Sequence, residues 1–240
     1  MPQSRLNLPD ILASLSEHYG EPHPPPANGL FEHVMWENAC YLLPDERRLE
    51  VFESLRRQVG LTASAIQNAK ESVLLPLAQR GGMRPETRVF RWREIARITL
   101  TQFAGNLDGI LTQSYADARR ALKQFPTIGD PGAEKILLFC GMAPHPVLSL
   151  PLESNGLRVL VRLGFGRSQK SYGATYRSVQ DAISRQLPTS AHELTQAHLL
   201  LRENGKILCK DKSPLCHQCP LAPNCTYAAT LAGSFLSPNH

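Results

Sequence analysis

The chain has 240 residues, 42% of them hydrophobic, enough for a sizeable core in one domain or in two small ones. Its 26 Lys and Arg against 21 Asp and Glu give a net charge of +5, which is compatible with a polyanionic partner. The N-terminus lacks the basic and apolar regions of a signal peptide, and no apolar run approaches the roughly 18 residues of a membrane span. These features exclude a membrane protein and favour a cytosolic one, in which thiols stay reduced.

Apolar residues recur at helical spacing along most of the chain, between breaks at Gly, Pro or Asp. A proline-rich connector over residues 21–29 leads into the first long helical stretch. No long stretch alternates in the manner of a β-strand, so the sequence predicts an all-α fold. The predicted helical stretches are 30–43, 45–60, 62–81, 90–106, 107–125 and 131–141.

Two polar residues, Glu37 and Asn38, interrupt the apolar stripes of the predicted 30–43 helix. Burying them without partners would cost several kcal/mol. We therefore expect them either to complete a polar network or to line a pocket.

A helix–hairpin–helix is predicted between Ala121 and Phe139. One helix ends near Phe125, and Asp130 and Pro131 supply an N-cap and a first residue for the next helix. The turn between them would present backbone N–H groups beside a helix N-terminus, which suits a phosphate oxygen, although a plain helical corner is the alternative. The turn residues predicted to bind DNA are Pro126, Thr127, Ile128 and Gly129.

Four of the six cysteines lie within seventeen residues near the C-terminus, with the spacing C-x6-C-x2-C-x5-C. Disulfides, zinc and an iron–sulfur cluster are the possible explanations, and a reducing compartment disfavours the first. Four thiolates suit zinc and a [4Fe–4S] cluster alike. The clustered residues are Cys209, Cys216, Cys219 and Cys225, whereas Cys40 and Cys140 lie in apolar helical stretches and are expected to be core residues.

The hairpin sequence FPTIG, followed about 80 residues later by this cysteine pattern, resembles the endonuclease III and MutY branch of the helix–hairpin–helix (HhH-GPD) DNA glycosylases. The resemblance covers about residues 29–227. It implies a helical barrel domain at 26–144 and a cluster domain built from 1–25 and 145–240. It also implies a [4Fe–4S] cluster on the four cysteines, with Lys210 and Lys212 in the loop that meets the DNA backbone.

The resemblance also suggests the catalytic residues. In the bifunctional enzymes of this branch a lysine attacks the sugar, but Pro131 stands at that position here. Lys135, one helical turn further, is a candidate substitute, with an ordinary exposed helix lysine as the alternative. Glu153 takes the place of the family's catalytic aspartate and Asn155 that of a MutY asparagine. Glu37 falls on the MutY glutamate that protonates the departing base and helps to activate water. Glu153 would stabilise positive charge on the sugar, and an ordinary N-cap is its alternative.

Leu42 and Leu43 fall near the loop from which relatives insert a side chain into the gap left by a flipped base. The sequence thus predicts a monomeric, monofunctional glycosylase of base excision repair that acts on lesions or mismatches in duplex DNA, in the cytoplasm and associated with the nucleoid. A bifunctional glycosylase/AP lyase and a non-catalytic DNA-binding protein are the alternatives. Because the sequence ends soon after the cysteines, without the further domain by which MutY enzymes read 8-oxoguanine, we do not expect that substrate.

Overall fold

The computed structural model describes residues 7–145 and 148–234, and within these ranges the chain forms twelve α-helices and no strand. The prediction of an all-α fold is therefore confirmed for this part of the chain. The helices are α1 (Leu8–Tyr19), α2 (Gly29–Glu37), α3 (Asp45–Gln58), α4 (Ala63–Asn68), α5 (Glu71–Arg80), α6 (Pro85–Gln102), α7 (Tyr115–Leu122), α8 (Asp130–Phe139), α9 (Ser154–Leu163), α10 (Tyr172–Ile183), α11 (Ala191–Ile207) and α12 (Thr226–Ser234).

The helices form two compact units. One unit is Pro25–Met142, and the other consists of the described residues before Pro25 and after Met142. Residues 1–6, 146–147 and 235–240, which the predicted cluster domain includes, lie outside the described residues.

Several helices begin at a Ser or Thr whose side-chain oxygen accepts a hydrogen bond from the backbone N–H three residues later. Each such cap contributes about 1 kcal/mol, because it satisfies a donor that has no partner within the helix. The caps are Thr62 for α4, Ser114 for α7, Ser171 for α10 and Ser190 for α11.

The predicted helix over 30–43 ends early, at Glu37. The Asn38 side chain donates to the carbonyl oxygens of Val34 and Pro126, at 3.0 and 3.1 Å, and so satisfies a carbonyl at the end of α2. Beyond it the chain leaves the helix, and the Tyr41 N–H donates to the Gly81 carbonyl at 3.2 Å. Glu37 and Asn38 consequently lie at the end of a helix and not in its middle.

The predicted helix over 62–81 is two helices, because α4 ends at Asn68 and α5 begins at Glu71. The Arg93 guanidinium group donates to the carbonyls of Gln67 and Ala69, both at 2.8 Å, and satisfies backbone groups at this break. The predicted helix over 107–125 is likewise shorter. It consists of a 3₁₀ turn, Asp108–Thr112, followed by α7.

The core of the Pro25–Met142 unit surrounds Trp92, which is fully buried on α6. Helix α6 packs against α2, α4 and α5, and α8 packs against α2 and α7. The Trp92 indole N–H donates to the Asn38 carbonyl oxygen at 3.0 Å. The C-terminal end of α2 is thereby fixed beside the hairpin that leads into α8.

In the other unit, α9 packs mainly against α11, while α1 covers α11 and both α10 and α12 contact α9. The buried residues of α9 include Leu157 and Leu160, and those of α11 include Leu194 and Leu201. This packing fixes the start of α9, where Glu153 lies. Within the described ranges no helix has both the length and the apolar character of a membrane span.

We expect Asn38→Ala to lower the free energy of unfolding by about 1–3 kcal/mol, because the buried Asn38 side chain would no longer form its hydrogen bonds to Pro126 and Thr127. Urea unfolding followed by circular dichroism measures this. Asn68→Ala, at an exposed position that ends α4, is the matched control and should change stability little. Equal stability of the two variants would contradict the structural role given to Asn38.

Candidate active site and cysteine cluster

The C-terminal end of α2 carries a largely buried ion pair. The Lys135 Nζ atom on α8 lies 2.9 Å from Glu37 Oε2, and the two side chains are 15% and 19% exposed. The sequence predicted apolar surroundings for Glu37, and it treated Lys135 as an exposed lysine or a substitute nucleophile. The structure instead brings them together, so that each charge is compensated by the other.

His33 lies one helical turn before Glu37 and is almost fully buried, with its ring 5.5 Å from that of Phe139. Burial, aided by the positive charge of Lys135, lowers the pKa of His33 to about 4, although the Glu37 carboxylate opposes the shift. His33 is therefore neutral at neutral pH. Sequence reasoning missed this residue, although its spacing of four from Glu37 places both on one helix face.

Asn38 joins the end of α2 to the hairpin. In addition to its bond to Pro126, its side-chain oxygen accepts from the Thr127 hydroxyl at 3.0 Å. Thr127 has a positive φ of 65°, a conformation that β-branched residues rarely adopt. Of the two roles that the sequence allowed for Asn38, the polar network is the one observed.

The hairpin turn has the backbone expected of an anion site. Within the described part of the chain, the N–H groups of Thr127 and Gly129 donate no hydrogen bond, and they precede the N-terminus of α8. Gly129 is the N-cap of α8, so the prediction of Asp130 as the cap is wrong by one residue. Ile128 differs from its neighbours, since its side chain is buried in the core and its N–H donates to Phe125.

Asp130 places a carboxylate beside this turn, but the structure supplies positive charges next to it. Lys123 Nζ lies 2.8 Å from Asp130 Oδ1, and Arg119 Nε lies 3.8 Å from the same oxygen. Arg119 also pairs with Glu134 at 2.9 Å. The local charge at the hairpin is therefore less negative than the sequence alone suggests.

Two neighbouring turns present apolar side chains to solvent. Leu42 has a positive φ of 54° and is 78% exposed, whereas Leu43 packs against the core. The second turn follows α5, and its Gly81 carbonyl accepts a hydrogen bond from the Tyr41 N–H. Met83 in this turn is 69% exposed. Of the two predicted wedge residues, only Leu42 projects outward, and Met83 is an exposed apolar neighbour that sequence reasoning missed.

Arg88 fixes the second of these turns. It is 5% exposed and donates to the backbone carbonyls of Ala78, Gly82 and Met83, at 2.6, 3.2 and 3.2 Å. These bonds satisfy a buried guanidinium group with backbone oxygens. Met83 is therefore presented by a rigid turn.

The other unit holds Glu153, which is the N-cap residue of α9. Its side chain makes no capping hydrogen bond to the helix, contrary to the alternative that the sequence left open. Glu153 Oε1 instead accepts from Asn155 Nδ2 at 3.1 Å and forms an ion pair with Arg202, whose Nε lies 3.1 Å away, and the side chain is 28% exposed. The structure thus brings Asn155 to Glu153 and adds Arg202 from α11.

A hydrogen-bonded chain leads from Asn155 to the cysteine segment. Arg158 donates to Asn155 Oδ1 at 2.9 Å and to the carbonyls of Gly205 and Cys209, both at 2.7 Å. A single guanidinium group therefore contacts the neighbour of Glu153, helix α11 and the first cysteine of the cluster. Sequence spacing gave no sign of this contact, because 47 residues separate Arg158 from Gly205.

The four clustered cysteines lie on one short segment with 3₁₀ turns at Cys216–Gln218 and Ala222–Asn224. Burial raises the pKa of the Cys216 and Cys219 thiols, and the nearby thiols of Cys209 and Cys225 raise it further. The thiols of Cys216 and Cys219 therefore each lie within electrostatic range of those of Cys209 and Cys225.

In the residues that the structure describes, no three His, Cys, Asp or Glu side chains are arranged to hold a single metal ion. A [4Fe–4S] cluster itself fills the space between its ligands, so its thiolates stand farther apart than those around one zinc ion. Four thiols on one short segment are the donor set that such a cluster takes. The residues present therefore fit this group.

Arg162 holds the two ends of the cysteine segment. Its guanidinium group donates to Cys209 Sγ at 3.4 Å and to the Lys210 carbonyl at 2.6 Å, and it lies 4.3 Å from the Tyr227 ring centre. Its own carbonyl oxygen accepts from Cys225 Sγ at 3.4 Å. The first and last cysteines are thus tied to the same residue of α9.

The remaining predicted residues are also placed. Lys210 and Lys212 are exposed on the loop between Cys209 and Cys216. Cys40 is buried, and burial raises the pKa of Cys140 to about 12, which fits unreactive core thiols.

The sequence of this chain is similar to those of known proteins. The chain is 25% identical to the endonuclease III of Sulfolobus acidocaldarius over 185 residues, covering 76% of this chain and 75% of that protein. It is 30% identical over 106 residues to the thymine/uracil-DNA glycosylase of Pyrobaculum aerophilum, 44% of each chain, and 26% identical over 110 residues to the thymine-DNA glycosylase of Aeropyrum pernix, 46% of this chain and 48% of that protein. No family model matches the chain.

The fold of this chain is also similar to the folds of solved structures. A non-covalent endonuclease III–DNA complex matches 95% of this chain and 99% of its own with a TM-score of 0.73 at 17% identity, and a thermostable thymine-DNA glycosylase matches 93% and 97% with 0.65 at 15%. The chain therefore has the fold of these solved structures. The chain spans three quarters of the endonuclease III relative and just under half of each of the other two relatives.

The lowered pKa of His33 makes stability depend on pH. Since His33 binds a proton in the unfolded chain at its ordinary pKa of 6.5 but in the folded chain only near 4, acid favours unfolding. Between pH 7 and pH 5 this one residue should remove about 2 kcal/mol of stability. We expect His33→Gln to show a smaller loss over that range than the wild type in urea unfolding. The exposed His217→Gln is the control, and identical pH profiles for His33→Gln and the wild type would contradict the account.

Proposed function

We propose that this protein is a monofunctional DNA glycosylase of base excision repair. It would hydrolyse the N-glycosidic bond of a damaged or mispaired base in duplex DNA and leave the sugar–phosphate strand intact. Relatives named endonuclease III and thymine/uracil-DNA glycosylase support the reaction class. Its place would be on the chromosome in the cytoplasm, as a monomer.

The observation that carries this proposal is the environment of Glu153. Its carboxylate stands at a helix start without capping the helix, and Asn155 and Arg202 hold one of its oxygens. A carboxylate fixed in this way is suited to stabilise the oxocarbenium-like sugar that forms as the base leaves. Glu153 is therefore given that role, with Asn155 and Arg202 orienting it.

The nucleophile in this proposal is water. Pro131 has no amine, and the amine of Lys135 is held by Glu37. A Schiff base with the sugar would require Lys135 to leave this pair and lose its proton. The ion pair is thus an argument against the bifunctional alternative.

The same pair bears on the role of Glu37. An ionised carboxylate only accepts hydrogen bonds, so a Glu37 paired with Lys135 is better suited to activate water than to donate a proton to the base. Between the two functions that the resemblance implies for this residue, we favour the activation of water.

DNA would be held by contacts that carry no sequence information. The N–H groups of Thr127 and Gly129 would bind a phosphate oxygen beside the positive charge of Lys123. Lys210 and Lys212 would contact the DNA backbone. Leu42 would fill the gap left by the flipped base.

A [4Fe–4S] cluster is proposed on Cys209, Cys216, Cys219 and Cys225. When bound, it would serve as a structural cross-link of the C-terminal segment, since metal binding couples to folding. Arg162 supports this arrangement because it contacts the first and the last of these cysteines.

On cluster content, we expect purified protein to be brown, with a broad absorbance near ~400 nm and about four iron atoms per chain. Cys216→Ser should lose iron and destabilise the C-terminal segment, whereas Cys140→Ser, outside the proposed site, should keep it. Iron analysis and absorbance measure both. Colourless protein that contains one zinc ion per chain would refute the cluster.

On mechanism, Glu153→Gln and Glu37→Gln should each slow single-turnover base release by roughly 10²–10⁴-fold while DNA affinity is preserved, because each loses a charge that acts on the reacting groups. The abasic product should break only on alkali treatment, and borohydride should trap no protein–DNA adduct. Glu46→Gln, at an exposed position on α3, is the matched control and should behave as the wild type.

The opposite pattern would support the lyase. Normal base release by Glu37→Gln, combined with loss of both release and borohydride trapping in Lys135→Ala, would overturn the monofunctional reading. A protein that binds abasic duplex but releases no base would instead be the non-catalytic alternative.

A further inference from the structure

The segment directly before Glu153 is buried but belongs to no helix or strand. Residues 148–153 have no regular secondary structure, and Leu150, Pro151 and Leu152 are all buried. Buried backbone carbonyls outside regular structure need other hydrogen-bond partners. Without them, their desolvation would lower the stability of the folded chain. The source of those partners is therefore informative.

Side chains from α10 and α11 bind all three carbonyls. The Leu150 carbonyl accepts from Gln180, whose side-chain oxygen in turn accepts from the Leu150 N–H at 3.0 Å. The Pro151 carbonyl lies 2.7 Å from His198 Nδ1, which must carry the proton because a carbonyl can only accept. The Leu152 carbonyl accepts from the Tyr172 hydroxyl at 2.6 Å. We call the stretch whose carbonyls are bound, Leu150 to Leu152, the clamped segment.

Tyr172 differs from the other two donors in position and exposure. It binds the carbonyl of the residue that immediately precedes Glu153, and its side chain is 43% exposed, whereas His198 is buried. Gln180 and His198 therefore contribute to the packing of the unit. The Tyr172 hydroxyl adds little buried surface. Its main effect is therefore the hydrogen bond that fixes the orientation of the backbone next to Glu153.

We infer that Tyr172 is a positioning residue for Glu153, acting through the Leu152 carbonyl. Glu153 is then held at both ends, with its backbone set by Tyr172 and its carboxylate set by Asn155 and Arg202. This inference rests on the catalytic role proposed above for Glu153. A carboxylate that stabilises a developing charge must be placed accurately, because small misplacements of reacting groups cost large factors in rate.

A double-mutant cycle tests this inference. Tyr172→Phe removes only the hydroxyl, and single-turnover base release should fall about tenfold, with unchanged affinity for a duplex that contains a tetrahydrofuran abasic analogue. In a Glu153→Gln background the same substitution should have no further effect, because the charge that it positions is already absent. Ser178→Ala is the matched control on the same helix. Its hydroxyl accepts from the Arg167 N–H and does not touch the clamped segment, so its rate should equal that of the wild type.

The possible outcomes separate the inference from the proposed function. Tenfold slowing that disappears in the Glu153→Gln background supports the inference. No slowing, equal slowing in both backgrounds or a matching loss of duplex affinity in an active enzyme overturns it and leaves the glycosylase proposal intact. A wild type that releases no base from any duplex overturns the proposed function, and the inference with it.

Discussion

Helices α9 and α11 approach each other so closely that a β-carbon on Gly205 would lie 2.4 Å from the Asn155 carbonyl oxygen. At Gly156, on the facing helix, a β-carbon would only reach ordinary contact with Leu201 at 3.4 Å. Only glycine at position 205 permits this distance, since the obstacle is backbone and cannot move aside. The arrangement of the Glu153 site follows from it.

At this separation Arg202 on α11 reaches Glu153, and Arg158 on α9 reaches Gly205 and Cys209. The residue proposed to stabilise the sugar and the first cysteine of the cluster segment are therefore fixed by the same pair of helices. In the Pro25–Met142 unit, Asn38 has an equivalent structural role. Its hydrogen bonds connect the end of the helix that carries Glu37 to the hairpin turn. In each unit a residue with a proposed chemical role is held in place by a network of polar contacts, which makes its position costly to change.

The sequence predicted those features that depend on local pattern. Helical periodicity and Gly or Pro breaks gave the all-α fold, and the hairpin and the cysteine spacing were visible as short motifs. Helix ends were less accurate, because Asn38 and Arg93 end helices through bonds to residues far along the chain. No local pattern could reveal that Lys135 pairs with Glu37, 98 residues away. Nor could it reveal that Tyr172 binds the Leu152 carbonyl or that Arg202 pairs with Glu153. Which side chains become such partners depends on how the helices pack, so it can be seen only in the folded chain.

The central claim is that the protein removes a base from duplex DNA with water as the nucleophile. The most direct measurement incubates the wild-type protein with duplexes that carry deaminated, oxidised, alkylated or mismatched bases, and scores strand breaks with and without alkali. The account predicts that at least one duplex loses its base and breaks only after alkali. Breaks that form without alkali, or the absence of base release from every duplex, would contradict it.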